Sequence, residues 1–450
     1  MISPNEHNEL DFISSNGKRY MKPYRITIHT SNNTFYLPGV DYSIDTIKDY
    51  ESKQSDLIIM NIPLTGNVIR AMANDRDLSE IHLNLVDQKN KSVGKPLIYR
   101  AILIPNNDIG NLTKATLSET QLEQIVYPVD IQLIDIGTEL LEDLMLIPCI
   151  IEDTSRPDTL DAIVSSVLAD VKIKGEPIIE KLAMVEPDNK DPIGRLIVPS
   201  NVPLLDAPKL LQQNGGFYIN DINIYFSRYN TKLICYVYPK HNYATKNKFI
   251  TGSKFARKLV IVIGTDDAYT EGLEPSFYSN SRTVRVIVTK KDLDNTRVNQ
   301  NPITAVSEIN APALVEAPVD TGINKPVIHH QQATMTHTAM KKRVDKINPV
   351  LTPVIERNNF EAASSINSDN MDIMLFQWNH SEASVLHPGQ EVEIIQYIHD
   401  KEVRINNATL LSAHVTNLVS ATGNQIPLAT ETTILKVGIQ PTAYNINEGK

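Results

Sequence analysis

Three histidines, His329, His330 and His337, crowd the stretch "HHQQATMTH", and four carboxylates, Asp266, Asp267, Glu271 and Glu274, share "TDDAYTEGLEP". Imidazoles so spaced could ligate a transition metal, and paired carboxylates could act as acid and base in glycoside hydrolysis. Neither set is complete. A metal site needs ligands held by a rigid second shell, and neither Cys nor a nearby carboxylate joins the histidines in their polar, weakly patterned segment. Two-carboxylate hydrolysis needs an aromatic sugar-binding cleft, and the chain's one tryptophan, Trp378, lies on a predicted strand. The four acids read as a solvent loop, and they lack the spacing of an EF-hand.

Other chemistry is equally hard to assemble. The chain has no P-loop, no Gly-x-Gly-x-x-Gly, no His-Glu-x-x-His and no Gly-x-Ser-x-Gly elbow. The basic run "MKKRVDK", Met340–Lys346, has no interleaved aromatics for stacking on nucleic acid, so it reads as a solvated face or a partner-docking segment. Cys149 and Cys235 both sit in apolar runs, where a buried thiol behaves as a small hydrophobe and forms neither a disulfide nor a metal site. The expectation is no catalytic, cofactor-binding or metal-binding set, and no enzyme activity.

Elements must therefore carry the function. The chain has 450 residues, 41% of them hydrophobic, enough for several real cores, and a net charge of −10 spread without long acidic runs. That balance disfavours specific nucleic-acid binding, which wants clustered Lys and Arg. The N-terminal "MISPNEHNELDFISSNGKRY" has no apolar core of a signal peptide, and runs such as "LVIVIG" are far short of the ~20 residues a membrane helix needs.

The expected fold is mainly β with an α+β middle unit: two small, tube-like β-barrels flanking an α+β domain, plus an extended connector. After an N-terminal extension, 1–19, period-two strands such as "YRITIHT" and "DLIIMNIPL" predict a first small barrel over 20–125, with a short helix in "TGNVIRAMANDRD". Residues 126–240 predict the α+β unit: a strand in "YPVDIQLID", a helix in "RPDTLDAIVSSVLADV" with Asp158 capping, and a strand in "IGRLIVPS". A second helix starts at Asp206 and stops at Gly215-Gly216. It leads into an aromatic hairpin with strands Phe217–Phe226 and Lys232–Tyr238. In that hairpin Ile222, Ile224 and Phe226 share one face, expected to be core. Asn223 and Tyr225 share the other, expected to meet a helix or a neighbouring chain. Residues 241–291 predict two strands, "KLVIVIGT" and "RTVRVIVTK", paired antiparallel. The stretch 292–345 reads as a connector that cannot build its own core, and 346–450 as the second small barrel.

That order, with the text "IVPSNVPLLDAPKLLQQNGGFYINDINIYFSRYNTKLICYVYP", resembles the baseplate hub proteins of contractile phage tails and their relatives in secretion-system spikes. The matching positions are Pro199, Pro203, Leu210, Leu211, Phe217, Tyr218, Phe226 and Leu233 to Tyr238; "LHPGQEVEI" resembles the opening of the hubs' second barrel. The resemblance implies a viral structural protein, assembled in the host cytoplasm into the virion's tail baseplate. It would adapt a sixfold tail tube to a threefold spike as a homotrimer, without a cofactor. Its partners would be the tail tube protein, the central spike protein and other baseplate proteins, with DNA passing through its lumen unbound. The alternative is a virion-associated carbohydrate-binding or carbohydrate-cleaving protein using the loops around Asp266 and Trp378.

Overall fold

The computed structural model describes residues 24–37, 40–75, 78–85, 95–104, 118–168, 172–173, 176–177, 179–218, 222–229, 232–239, 249, 257–263, 277–279, 283–291, 372–398, 401–420 and 428–439. The chain is mainly β. Its first part lays down β1 (Tyr24–His29), β2 (Thr34–Leu37), β3 (Tyr42–Asp49) and β4 (Leu57–Thr65), then helix α1 (Gly66–Asn74). Next come β5 (Glu80–Leu85), β6 (Leu97–Leu103), helix α2 (Glu119–Gln124) and β7 (Val126–Asp135). Alternation sets the faces: Met60, Ile62 and Leu64 of β4 are buried while Asn61 is exposed. Val68, Ile69 and Met72, at helical spacing on α1, close over this core. A capping box opens α2, in which Ser118 and Gln121 satisfy each other's backbone amides.

The middle part opens with helix α3 (Ile136–Glu142), capped by the Asp135 carboxylate, which accepts the Thr138 N–H. Strand β8 (Cys149–Thr154) and helix α4 (Arg156–Leu168) follow. The cap of α4 is Ser155, not Asp158: the serine Oγ accepts the Asp158 N–H and donates to its carboxylate. Asp158 stands three residues inside the cap, where a short acid supports the first turn. Leu160, Ile163, Val164 and Val167, at helical spacing, form the inward face of α4 and are buried.

Short strands β9 (Lys172–Ile173) and β10 (Glu176–Pro177) pair with each other and lead to β11 (Ile179–Met184) and β12 (Ile193–Val198). Helix α5 (Ala207–Gly215) ends at Gly216, whose φ of 60° is the left-handed geometry that glycine supplies. Asp206 stands at its start but makes no side-chain cap, because the preceding 3-10 turn Leu204–Asp206 holds its backbone in the right-handed region.

The aromatic hairpin is β13 (Ile222–Tyr229) and β14 (Lys232–Pro239). Its register pairs Tyr229 with Lys232, so the polar "SRY" expected in the turn belongs to the strand. Phe217 and Tyr218 precede the strand, fully buried: the Gln212 side chain accepts both their N–H groups and donates to the Tyr218 carbonyl. With β11 parallel to β14, the hairpin forms a three-stranded sheet.

The C-terminal part comprises β15 (Lys258–Ile263), β16 (Phe277–Ser279), β17 (Thr283–Lys291), β18 (Asp372–Asn379), β19 (Glu391–Ile398), β20 (Lys401–Ser420) and β21 (Leu428–Ile439). Strands β15 and β17 are parallel, which corrects the antiparallel expectation. Parallel neighbours need a crossover of about a dozen residues or more, and residues 264–282, which include β16 antiparallel to β17, supply that length. Pairings β15–β17–β18–β21–β20–β19, with β19 back on β15, make a closed ring of six strands. The ring is not a separate sheet. Strand β20 also pairs with β3, so one 14-stranded sheet runs from the ring through β3, β4, β7, β6, β5 and β1 to β2.

The two faces of β13 do not divide as expected. Phe226 is 2% exposed on one face and Tyr225 0% on the other, and both belong to the same core cluster. Either residue replaced by alanine should therefore cost about 3–5 kcal/mol of folding stability. Urea denaturation of the two variants checks this; a Tyr225→Ala chain with wild-type stability would contradict a core role for that face.

Candidate assembly surface

The long sheet presents one face to the core and one outward. Strands β20 and β3 pair from Ser412↔Asp49 to Val419↔Tyr42, with Ala413, Val415 and Val419 buried beside Ile44 and Tyr42. The alternate residues face out: His414, Thr416 and Leu418 beside Asp45 and Ser43, then Asn61 on β4 and Asp130 on β7. Farther along, Arg100, Glu80, His29 and Thr34 stand in register across β6, β5, β1 and β2.

These outward groups are bonded to each other along the sheet. Thr416 Oγ1 donates to Asp45 Oδ1 at 2.6 Å, His414 Nε2 lies 3.4 Å from the same oxygen, and Asn61 Nδ2 donates to Asp130 Oδ1 at 2.7 Å. His82 Nε2 meets Glu80 at 2.9 Å, with the His29 ring centroid 4.1 Å from its own. Arg100 Nε donates to the Glu139 carboxylate at 2.9 Å. Such a face offers extended polar contact with water or other subunits.

A second constellation locks the β3–β4 turn to the hairpin. Tyr225 donates to Asp56 Oδ1 at 2.7 Å, and Lys48 Nζ donates to Asp56 Oδ2 at 2.9 Å. The Tyr50 carbonyl accepts from Tyr238 Oη at 2.6 Å and from Asn223 Nδ2 at 2.8 Å. Phe226 N–H donates to the Gln54 carbonyl, and Gln54 Nε2 to the Leu205 carbonyl, both at 2.7 Å. The Tyr50 and Tyr225 rings meet edge to face at 5.0 Å. Burial first, and then the neighbouring Asp56 charge, hold the Tyr50 and Tyr225 phenols well above their ordinary range, so both stay protonated. Arg228 pairs with Asp135, fastening the far end of the hairpin to the first part of the chain.

A third cluster fixes the loop between β18 and β19. Glu431, buried on β21, accepts from Ala383 N–H at 2.6 Å and from Ser381 Oγ at 2.8 Å. Burial, and then Glu382, push its carboxyl up to about 7. His387 is stacked on Tyr236 with ring centroids 5.6 Å apart; its Nε2 accepts the Arg257 N–H at 3.0 Å and its Nδ1 lies 3.0 Å from the Pro388 carbonyl. Those partners require a neutral ring protonated on Nδ1, and burial presses its pKa down to about 4. Next to it Gly389 has φ +65°, and a Cβ there would stand 2.7 Å from Tyr238 Cβ. The turn at His387-Pro388-Gly389 thus seats this loop on the hairpin.

Of the residues that suggested chemistry, Trp378 lies fully buried in the core on β18, so it cannot serve as a sugar platform. Cys235 is buried, its thiol pushed up by desolvation, and Cys149 packs against the same core; both are free thiols. Asp266, Asp267, Glu271, Glu274, His329, His330, His337 and the run Met340–Lys346 lie outside the described residues. Among the described residues no group of three His, Cys, Asp or Glu side chains could hold a metal ion, and no helix is long and apolar enough to cross a membrane. Sequence reasoning missed the Tyr50–Asp56–Tyr225 lock and Glu431, because their partners lie far apart in the chain.

Glu431 and His387 make opposite contributions to stability. A carboxyl raised in the folded state contributes stability below pH ~4.5 that is lost as pH rises through 7. A histidine lowered in the folded state makes stability fall as pH drops from 6.5 towards 4, because the unfolded chain takes up the proton first. Each effect is about 3 kcal/mol when complete, so in the intact chain they offset one another between pH 4.5 and 6.5. Glu431→Gln should unmask the histidine: stability should fall steeply below pH 6.5 and exceed that of the parent at pH 8. Urea titrations at pH 5, 6 and 8 test this, and an unchanged pH slope would refute it.

No family model matches this chain, and no curated protein matches it. It is similar to several solved structures, all of them distant. A tail protein from Neisseria meningitidis MC58 is 8% identical, with 94% of this chain and 98% of that one covered at a TM-score of 0.36. The 43 kDa tail protein of prophage MuSo2 from Shewanella oneidensis is 10% identical, with 94% and 98% covered at a TM-score of 0.37. An Escherichia coli component of the type VI secretion system, itself structurally similar to the T4 bacteriophage tail proteins gp27 and gp5, is 10% identical, with 93% and 78% covered at a TM-score of 0.35.

Proposed function

We propose that this chain is a baseplate hub of a phage-type tail, a structural protein of the virion that joins a sixfold tube to a threefold central spike as a homotrimer. The observation that carries the reading is the β3–β20 pairing. It fuses an N-terminal and a C-terminal β-unit of one chain into a single sheet whose outward face carries hydrogen-bonded polar groups. A trimer of chains that each hold two such units sets six around one axis, which reconciles sixfold and threefold neighbours without a second protein. In this reading the two tube-like domains, 20–125 and 346–450, take in β7 and the strands β15 and β17 respectively, and the rest of the α+β domain 126–240 buttresses them.

The polar face suits a water-filled lumen. Asp45, Asp130 and Glu80 on it repel a passing polyanion, while Arg100 is engaged by Glu139, so DNA would pass without being held. Strand β2 pairs only with β1 among the described residues, so its outer edge is available to a neighbouring subunit. The role calls for no catalysis and no cofactor. Tube, spike and other baseplate proteins are the partners it implies, with assembly in the host cytoplasm. The carbohydrate alternative loses Trp378, which is inside the core.

The purified full chain should run as a trimer, with a mass three times that of one chain by sedimentation equilibrium, and should give threefold particles by electron microscopy. A chain that stays monomeric up to ~100 µM, where even weak self-association of micromolar affinity would be saturated, would sink the proposal.

A further inference from the structure

The two-stranded β8–β12 ribbon buries one face and leaves the other apolar and open. Leu146, Leu196 and Val198 point into the core. On the opposite face Met145 and Ile147 are each 50% exposed, and Ile150 and Ile197, directly opposite each other in register, are each 56% exposed. Pro148 and Pro199 are exposed beside them. The ribbon continues beyond its named strands, since Leu146 N–H donates to the Val202 carbonyl and Leu204 N–H to the Leu144 carbonyl. Among the described residues neither strand has a partner on its other edge. Scattered exposed aliphatics are ordinary, but a contiguous strip on a two-edged ribbon marks a contact surface.

Charge says what fits it. Along 140–154 and 193–203 the chain carries four exposed carboxylates, Glu142, Asp143, Glu152 and Asp153, against one base, Arg195, which already pairs with Glu152. The occupant should therefore be aliphatic and basic, and short, because a two-stranded ribbon offers far less than the ~800 Å² per partner of a standard interface. One such sequence exists in this chain. Lys341–Ile355, "KKRVDKINPVLTPVI", carries Lys341, Lys342, Arg343 and Lys346 against the single acid Asp345, with six aliphatic residues after the first three cations. Its excess of three positive charges equals the ribbon's excess of three negative ones. Its two prolines favour an extended course, suited to lying along a strand edge. It belongs to the stretch between β17 and β18, outside the described residues.

We propose that the apolar face of the β8–β12 ribbon is the docking site for Lys341–Ile355 of this chain, the aliphatics covering Ile150 and Ile197 and the cations answering the flanking carboxylates. This goes beyond the hub reading and does not depend on it. The test places the photo-crosslinking residue p-benzoylphenylalanine at position 197 of the full chain. Irradiation should yield adducts to peptides within Lys341–Ile355; adducts to other residues, to a second copy outside that segment, or none at all would overturn the proposal. A second measurement is independent of the crosslinker. A synthetic Lys341–Ile355 peptide is titrated into the full chain carrying K341S, K342S, R343S and K346S, whose own segment no longer competes. Binding should weaken at least tenfold when Ile150→Glu and Ile197→Glu are added, and weaken with added salt. Equal affinity with and without the two glutamates would refute the site, while trimer mass separately tests the hub reading.

Discussion

The hydrogen-bond ladder between β3 and β20 links residues more than 360 positions apart, and the remaining architecture is arranged around it. Because strand side chains alternate, fixing this one register decides which residues of both β-units face the core and which face outward. A slip of one residue would carry Ala413 and Val415 to the outside and bring His414 and Thr416 in. The hydrogen bond of Thr416 to Asp45 works against that slip, since it forms only when the two residues stand opposite each other on the polar face. Strand β20 bears the heaviest duty: at 20 residues it is long enough to pair with β19 and β21 within the ring and with β3 beyond it.

A sheet fused in this way still needs a brace, and the aromatic hairpin supplies it. On the face that carries Asn223, Tyr225, Tyr236 and Tyr238, two different parts of the chain close on it. The β3–β4 turn brings Tyr50, Gln54 and Asp56 to β13, and the β18–β19 loop brings His387 and Gly389 to β14. Each contact crosses between regions that sequence separates widely. The hairpin is therefore a common packing partner of the first and the last parts of the chain.

Local elements were legible in the sequence where a local cause sets them. The period-two runs of β1, β4 and β7, the helical stripe of α4 and the glycine stop of α5 all follow from neighbours within a few residues. Errors arose where a distant partner decides. Asp158 and Ser155 are both acceptable capping residues, and only the chain's course into the helix selects the serine. The parallel pairing of β15 with β17 goes with their other partners, β19 and β18, which come much later in the chain. The polar segment after Phe226 reads as a turn, but Arg228 within it is matched by Asp135, far back in the sequence, and the strand runs on to Tyr229. Of the candidate surface, the alternation that makes one face polar was readable. The pairing that makes that face continuous was not, because backbone ladders leave no mark on residue type.

The choice of tyrosine over phenylalanine in the hairpin follows from the same geometry. Where regular strands meet, backbone groups pair with each other; where a turn or loop is packed against a sheet, carbonyls are left without a ladder partner. The Tyr50 carbonyl lies in such a place and takes the Tyr238 hydroxyl at 2.6 Å, while the Val185 carbonyl takes that of Tyr218 at 2.6 Å. Phenylalanine would bury as much ring but give up the hydroxyl donor, leaving the Tyr50 carbonyl to Asn223 alone, a loss of about 0.5–1.5 kcal/mol per hydrogen bond. Tyrosine's ring fills the core while its hydroxyl reaches the irregular backbone at the edge. Aromatic crowding between Phe217 and Tyr238 therefore marks where the separate parts of this chain are joined.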